Sequence, residues 1–183
     1  MNSKKLPLLI PSLLLPYVAL FSLVTVFFSN KNTFFEFIMD SVFQGNGLLL
    51  IAAVFVYGFI ATLLSIVFFV FALKGKYDAY ILSKTALTVK LIMIPSYIII
   101  FILAILLSIT LFTIPFAIGL FLVDCATLFS SGIIAVTAAV NATRQGVLDS
   151  RTAKIISILQ LFFCIDVVAA AILFIKLRKY KQR

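Results

Sequence analysis

Histidine is absent from this chain, cysteine occurs only twice, and six acidic side chains face fifteen basic ones. Without histidine, and with Cys125 and Cys164 far apart, the residue clusters that hold zinc are missing. No metal, no cofactor and no catalytic residue is therefore expected. Charged residues of every kind make up only 11% of the sequence, against 64% hydrophobic. Such a balance leaves too little polar surface to cover a water-soluble domain, so the expected solvent is mostly lipid. The net charge of +9 is not read as a nucleic-acid signature. The basic residues sit at the ends of apolar runs, where anionic headgroups attract them. Cys125 and Cys164 both lie inside apolar segments and read as buried thiols acting as small hydrophobes.

What is present is long apolar runs. A helix needs roughly 20 apolar residues to span the hydrocarbon core, and five segments meet that length: 6–28, 48–73, 91–112, 115–140 and 155–175. The third and fourth form one block, split where Pro115 suits the first turn of a new helix. Lys4 and Lys5 give the first segment a basic start, but its length and the lack of an A-x-A-like site favour an uncleaved span. Pro7, Pro11 and Pro16 interrupt it, so neighbouring helices must satisfy the freed carbonyls. The expected fold is all-α: a single polytopic membrane bundle of about five transmembrane segments with one interfacial amphipathic helix.

That amphipathic helix is "NKNTFFEFIMDSVFQGNG", residues 30–47. Thr33, Glu36, Asp40 and Gln44 recur on one face, and Phe34, Phe35, Phe37, Ile38, Val42 and Phe43 fill the other. Thr33 with Glu36 has capping-box spacing, and Gly45-Asn46-Gly47 would end the helix. It reads as lying in the headgroup layer, with a partner-docking helix as the alternative. Residues 74–90 read either as an interface anchored by Tyr77, Tyr80 and Ile81 or as a solvated linker.

Orientation follows from the basic residues. Five crossings with a cytoplasmic N-terminus put nine of the fifteen inside, a weak bias. Letting 155–175 enter and leave on the cytoplasmic side would put fourteen inside, but that needs a re-entrant segment buried in protein. Early segments dominate orientation, so five crossings with the N-terminus cytoplasmic is the expectation.

Two acids lie within apolar segments: Asp124 in "LVDC" and Asp166 in "CIDV", neither with an evident basic neighbour. If the last two spans are antiparallel neighbours, both acids fall at nearly the same depth. Asp124, Thr127 and Ser131 share a helical face, continued by Ala135 and Ala138. Ser131, Ala135 and Ala139 also follow a small-xxx-small pattern, which lets helices approach closely. Ala169 and Ala170 follow Asp166 by three and four residues. The acids thus read as pointing into the bundle. Protonated interhelical hydrogen bonding, an ion or proton site, and pairing with a partner's basic side chain all remain open. No H-E-x-x-H, P-loop or G-x-S-x-G motif occurs, and the contexts of the two acids do not match those of intramembrane aspartyl proteases. No enzyme is expected.

The stretches "KLIMIPSYIIIFILAIL" (90–106) and "LQLFFCIDVVAAAILFIKLRK" (159–179) resemble an uncharacterised family of small bacterial polytopic membrane proteins. The likeness rests on an Ile-Pro-x-Tyr step entering a span and a Phe-Cys-x-Asp-Val run near a basic tail. It makes Pro95, Cys164 and Asp166 the family-like positions and implies a bacterial plasma membrane, with no activity attached. The expected function is a non-enzymatic interaction or accessory subunit, homo-oligomeric or within a larger membrane complex, packing through its last two spans. The alternative is a small proton- or cation-coupled transporter or channel that uses Asp124 and Asp166.

Overall fold

A computed structural model describes residues 3–75 and 77–182. After a 3-10 stretch, Ser3–Leu9, seven helices follow: α1 (Ile10–Phe28), α2 (Thr33–Phe43), α3 (Gly47–Lys74), α4 (Ala79–Leu107), α5 (Ile114–Arg144), α6 (Ser150–Leu159) and α7 (Ile165–Lys181). Four helical stretches are long and apolar enough to cross a membrane: Leu6–Phe28, α3, α4 and α5, with mean hydropathies between 1.9 and 2.6.

The fifth expected segment is not a continuous helix, which corrects the five-span reading. It divides into α6 and α7 around residues 160–164. Ten residues of α6 extend about 15 Å, half of the roughly 30 Å hydrocarbon thickness. Nothing in "QLFFC" is a helix breaker, which is why the apolar run reads as one span. The break is imposed by packing. Gly132 of α5 leaves room for Gln160, whose carbonyl oxygen lies 3.4 Å from where a Cβ on Gly132 would be. Cys164 then takes a positive φ of 66°, a strained conformation for a residue with a Cβ.

Contacts give the course of this broken segment. Leu148, just before α6, packs in one core cluster with Ala142 of α5, while Gln160, just after α6, meets Gly132. α6 therefore runs antiparallel to α5. α7 then runs back along α4: Asp166 stands beside Lys90, Phe174 stacks on Tyr80 with centroids 5.7 Å apart, and Lys181 Nζ lies 4.6 Å above the Tyr80 ring. α6 and α7 form a helical hairpin that enters and leaves the bundle at one end. The antiparallel arrangement of the last two long segments, assumed for equal depth of the acids, is replaced by α7 antiparallel to α4.

Other boundaries shift less. α4 starts at Ala79, capped by Asp78, whose carboxylate accepts from Tyr80 N at 2.8 Å. Most of the 74–90 connection is therefore helix. α5 begins with Pro115 in its first turn, as expected, and runs on to Arg144. α2 forms where its amphipathic pattern places it, but Asn32 caps it by accepting from Phe34 N at 2.9 Å, in place of the Thr33–Glu36 box. Gln44 and Gly45, with φ of 52° and 70°, end it in the left-handed turn common at helix C-termini. Met39 is buried, while Phe34, Phe37 and Val42 stay exposed. Both cysteines are exposed and unpaired, contrary to the expectation of buried thiols.

Hydroxyls from neighbouring helices reach the backbone near the helical prolines. Tyr57 of α3 donates to the Pro11 carbonyl at 2.9 Å, within two turns of Pro16. Tyr17 of α1 donates to Ile92 O at 2.5 Å, beside Pro95. A proline removes a donor from the helix ladder, so polar groups near it gain most from such partners. At the end of α5, Asn141 Nδ2 donates to Ala72 O at 3.2 Å and Tyr77 O at 3.1 Å. Arg144 Nη1 adds a bond to Leu73 O at 3.0 Å. These side chains close the last carbonyls of α3, which its own helix leaves without partners.

Asp149 caps α6, accepting from Thr152 N at 2.9 Å. The bonds with the Thr152 side chain and backbone hold its carboxyl below the usual carboxylate range. Its contribution is present above the ordinary carboxylate pKa and is lost as pH falls through the depressed one. Amide protection over 150–153, relative to the unfolded-chain rate at each pH, is expected to fall on acidification in the native chain, and Asp149→Ala to show the lower protection at neutral pH already. Equal exchange in the two proteins would show that the cap contributes nothing.

Candidate functional site

Lys90 is the residue that reading the sequence missed. It heads an apolar run and looks like an interfacial lysine, yet eleven residues of α4 precede it and it is fully buried. Its Nζ forms an ion pair with Asp166 Oδ2 and lies 3.4 Å from Ser131 Oγ. The reading of Asp166 as an acid without a basic neighbour is thereby corrected. Asp166 sits in the first turn of α7, where the helix dipole favours negative charge. Three elements thus meet at one buried point: α4 through Lys90, α5 through Ser131, α7 through Asp166.

Tyr97, seven residues after Lys90, falls on the same face of α4. It is buried, sits within electrostatic reach of both acids, and its ring meets Phe163 edge-on with centroids 5.3 Å apart. Asp124 stands seven residues before Ser131 on α5, about 10 Å along the axis. The two acids are not level, but they remain within electrostatic reach of each other. Thr127, fully buried between Asp124 and Ser131, donates to Val123 O at 2.8 Å. The spacing of seven on both helices is the one sequence signal that would have joined Lys90 and Tyr97 to Asp124 and Ser131.

Several polar atoms here have no hydrogen-bond partner: Asp124 Oδ1, Asp166 Oδ1, and both side-chain polar atoms of Gln160. Gln160 is fully buried against Gly132, next to the Ser131 that touches Lys90. Such atoms are costly in a low-dielectric interior unless something polar meets them. Ala135, Ala139, Ala169 and Ala170 are at most 1% exposed. The small-residue faces do allow close packing, but it is spent on this chain's own helices.

The arrangement can hold fixed charges and bind a small cation or proton. Among the described residues no group of three metal-ligating side chains gathers.

A family model described as a family of unknown function matches residues 8–181. The chain belongs to that family, DUF6652, and the match covers far more than the second half that carried the resemblance. No curated protein and no solved structure matches it.

Removing one partner of a buried ion pair leaves an uncompensated charge or an unsatisfied donor, at about 3–5 kcal/mol, whereas replacing both with apolar residues is often neutral. Asp166→Ala is therefore expected to lower the unfolding midpoint in detergent sharply, and Lys90→Met with Asp166→Leu to recover most of it. A double variant as weak as the single one would remove the pair from the account of stability.

Proposed function

We propose that this chain is an integral membrane protein of the bacterial plasma membrane, with four crossings and a re-entrant C-terminal hairpin. Four helices of spanning length support the crossings, and the course of α6 and α7 supports the hairpin. Both described chain ends then lie on one side. Every described Lys and Arg except Lys31 and the buried Lys90 falls at that same end, which the positive-inside rule makes cytoplasmic. The re-entrant alternative considered for the sequence is thus preferred over five crossings. The exposed aromatic face of α2 suits the opposite headgroup layer.

Within that architecture, we infer a small proton- or cation-coupled transporter or channel. The observation that carries it is the Lys90–Asp166 pair at the start of a half-helix, with Asp124 in electrostatic reach and without a counter-charge. Ionisable residues at such depth are expensive and mark ion or proton routes in membrane proteins. Helices that break inside the bilayer are a recurring way to build ion sites there. Lys90, Tyr97, Ser131 and Gln160 add buried polar groups beyond the two acids.

The accessory-subunit reading keeps one supporting observation. Phe55, Phe59 and Leu63 of α3 present an exposed apolar face, open to lipid or to another membrane protein. The alanines expected to serve a partner are already occupied.

Two measurements test these proposals. Thiol-tagged sites placed next to Asn2 and Gln182 should react from the same side of inverted vesicles; opposite-side labelling rules out the re-entrant hairpin. In proteoliposomes, proton or alkali-cation flux is expected from the native chain and at least tenfold less from Asp124→Asn with assembly intact. A native protein that moves neither ion would end the transporter reading in favour of the accessory one.

A further inference from the structure

The site holds two acids and one base: Lys90 and Asp166 are buried, Asp124 only partly so. Lys90 is engaged by Asp166, and no ion pair reaches Asp124 among the described residues. The groups around Asp124 do not neutralise it. α7 presents Asp166 and α4 presents Tyr97. Cys125 is its chain neighbour, α1 offers Tyr17, α3 offers Tyr57 with Lys74 at its last residue, and α6 carries Arg151 and Lys154 at its far end. Asp124 is only partly buried, but its Oδ1 is closed off without a hydrogen-bond partner, and a carboxylate oxygen so placed is unfavourable unless its charge is balanced.

We propose that Asp124 is the exchangeable member of the site, binding a single proton or alkali cation, while Asp166 stays a fixed carboxylate on Lys90. This division of labour rests on the ion-coupled reading above and names its ion class and its residue. The charge count selects one positive charge: the pair is neutral as a unit, so only Asp124 is left to balance. The atoms agree with that class. Asp124 Oδ1 is a hard oxygen acceptor, closed off and without a hydrogen-bond partner. A divalent ion prefers six or more oxygens with several carboxylates, and no cluster of three ligating side chains exists among the described residues.

Binding a proton adds it to a carboxylate oxygen of Asp124 and removes one negative charge; binding an alkali ion places it against the same oxygen and leaves the carboxylate ionised. Infrared spectra of the full chain in vesicles separate the two. In sodium- and potassium-free buffer at neutral pH, a protonated-carboxyl band is expected. Asp124→Asn should abolish it, Asp124→Glu should restore it at a shifted frequency, and Lys90→Met with Asp166→Leu should leave it in place. Loss of the band on adding sodium or potassium identifies an alkali ion; indifference to both identifies the proton. A band that survives Asp124→Asn, one that disappears with the Lys90 and Asp166 replacements, or no band in cation-free buffer overturns the assignment. The expected pattern without any flux sinks the transport reading alone. Flux with the band on Asp166 sinks the assignment alone.

Discussion

Lys90 and Asp166 are 76 residues apart, and the placement of everything after α5 depends on their meeting. Neither charge is tolerable alone at that depth, and each supplies what the other lacks. Ser131 adds a hydroxyl from a third helix, so the pair also fixes how α4, α5 and α7 sit against each other. With α7 held at its first turn and returning along α4, α6 has only one course open to it, down the face of α5. The break at residues 160–164 is thus the local result of a long-range electrostatic constraint. The positive φ of Cys164 is its conformational cost, of about 1–3 kcal/mol.

The rest of the bundle follows a related rule, that polar groups away from water must find partners within the protein. Tyrosines from α3 and α1 reach backbone carbonyls near the helical prolines, and Asn141 closes the end of α3. Serines and threonines along α5 bond to their own helix. The exceptions among the described residues are Asp124 Oδ1, Asp166 Oδ1, both side-chain polar atoms of Gln160, and Asn141 Oδ1 near the end of α5.

Much of this was legible from composition and periodicity. Helices of spanning length, the amphipathic α2, the start of α5 at Pro115 and the inward face holding Thr127, Ser131 and Ala135 all follow from local pattern. The last apolar run was misread because its break has no local cause: Gly132 and Lys90, distant in sequence, create it. Lys90 was missed for a similar reason. A lysine at the edge of an apolar run reads as snorkelling to the interface, and only the early start of α4, capped by Asp78, carries it inward. Asp124 and Asp166 stand out in the sequence as acids within apolar runs, but their separate surroundings required the fold.

The order in which the charges are synthesised has a consequence for biogenesis. A ribosome emits Lys90 well before Asp166, so α4 is made carrying an amine whose partner does not yet exist. Until the final helix arrives, the nascent bundle holds an unpaired amine among its helices, a mark that distinguishes unfinished chains from finished ones. Completion of the polypeptide is then what gives Lys90 its partner.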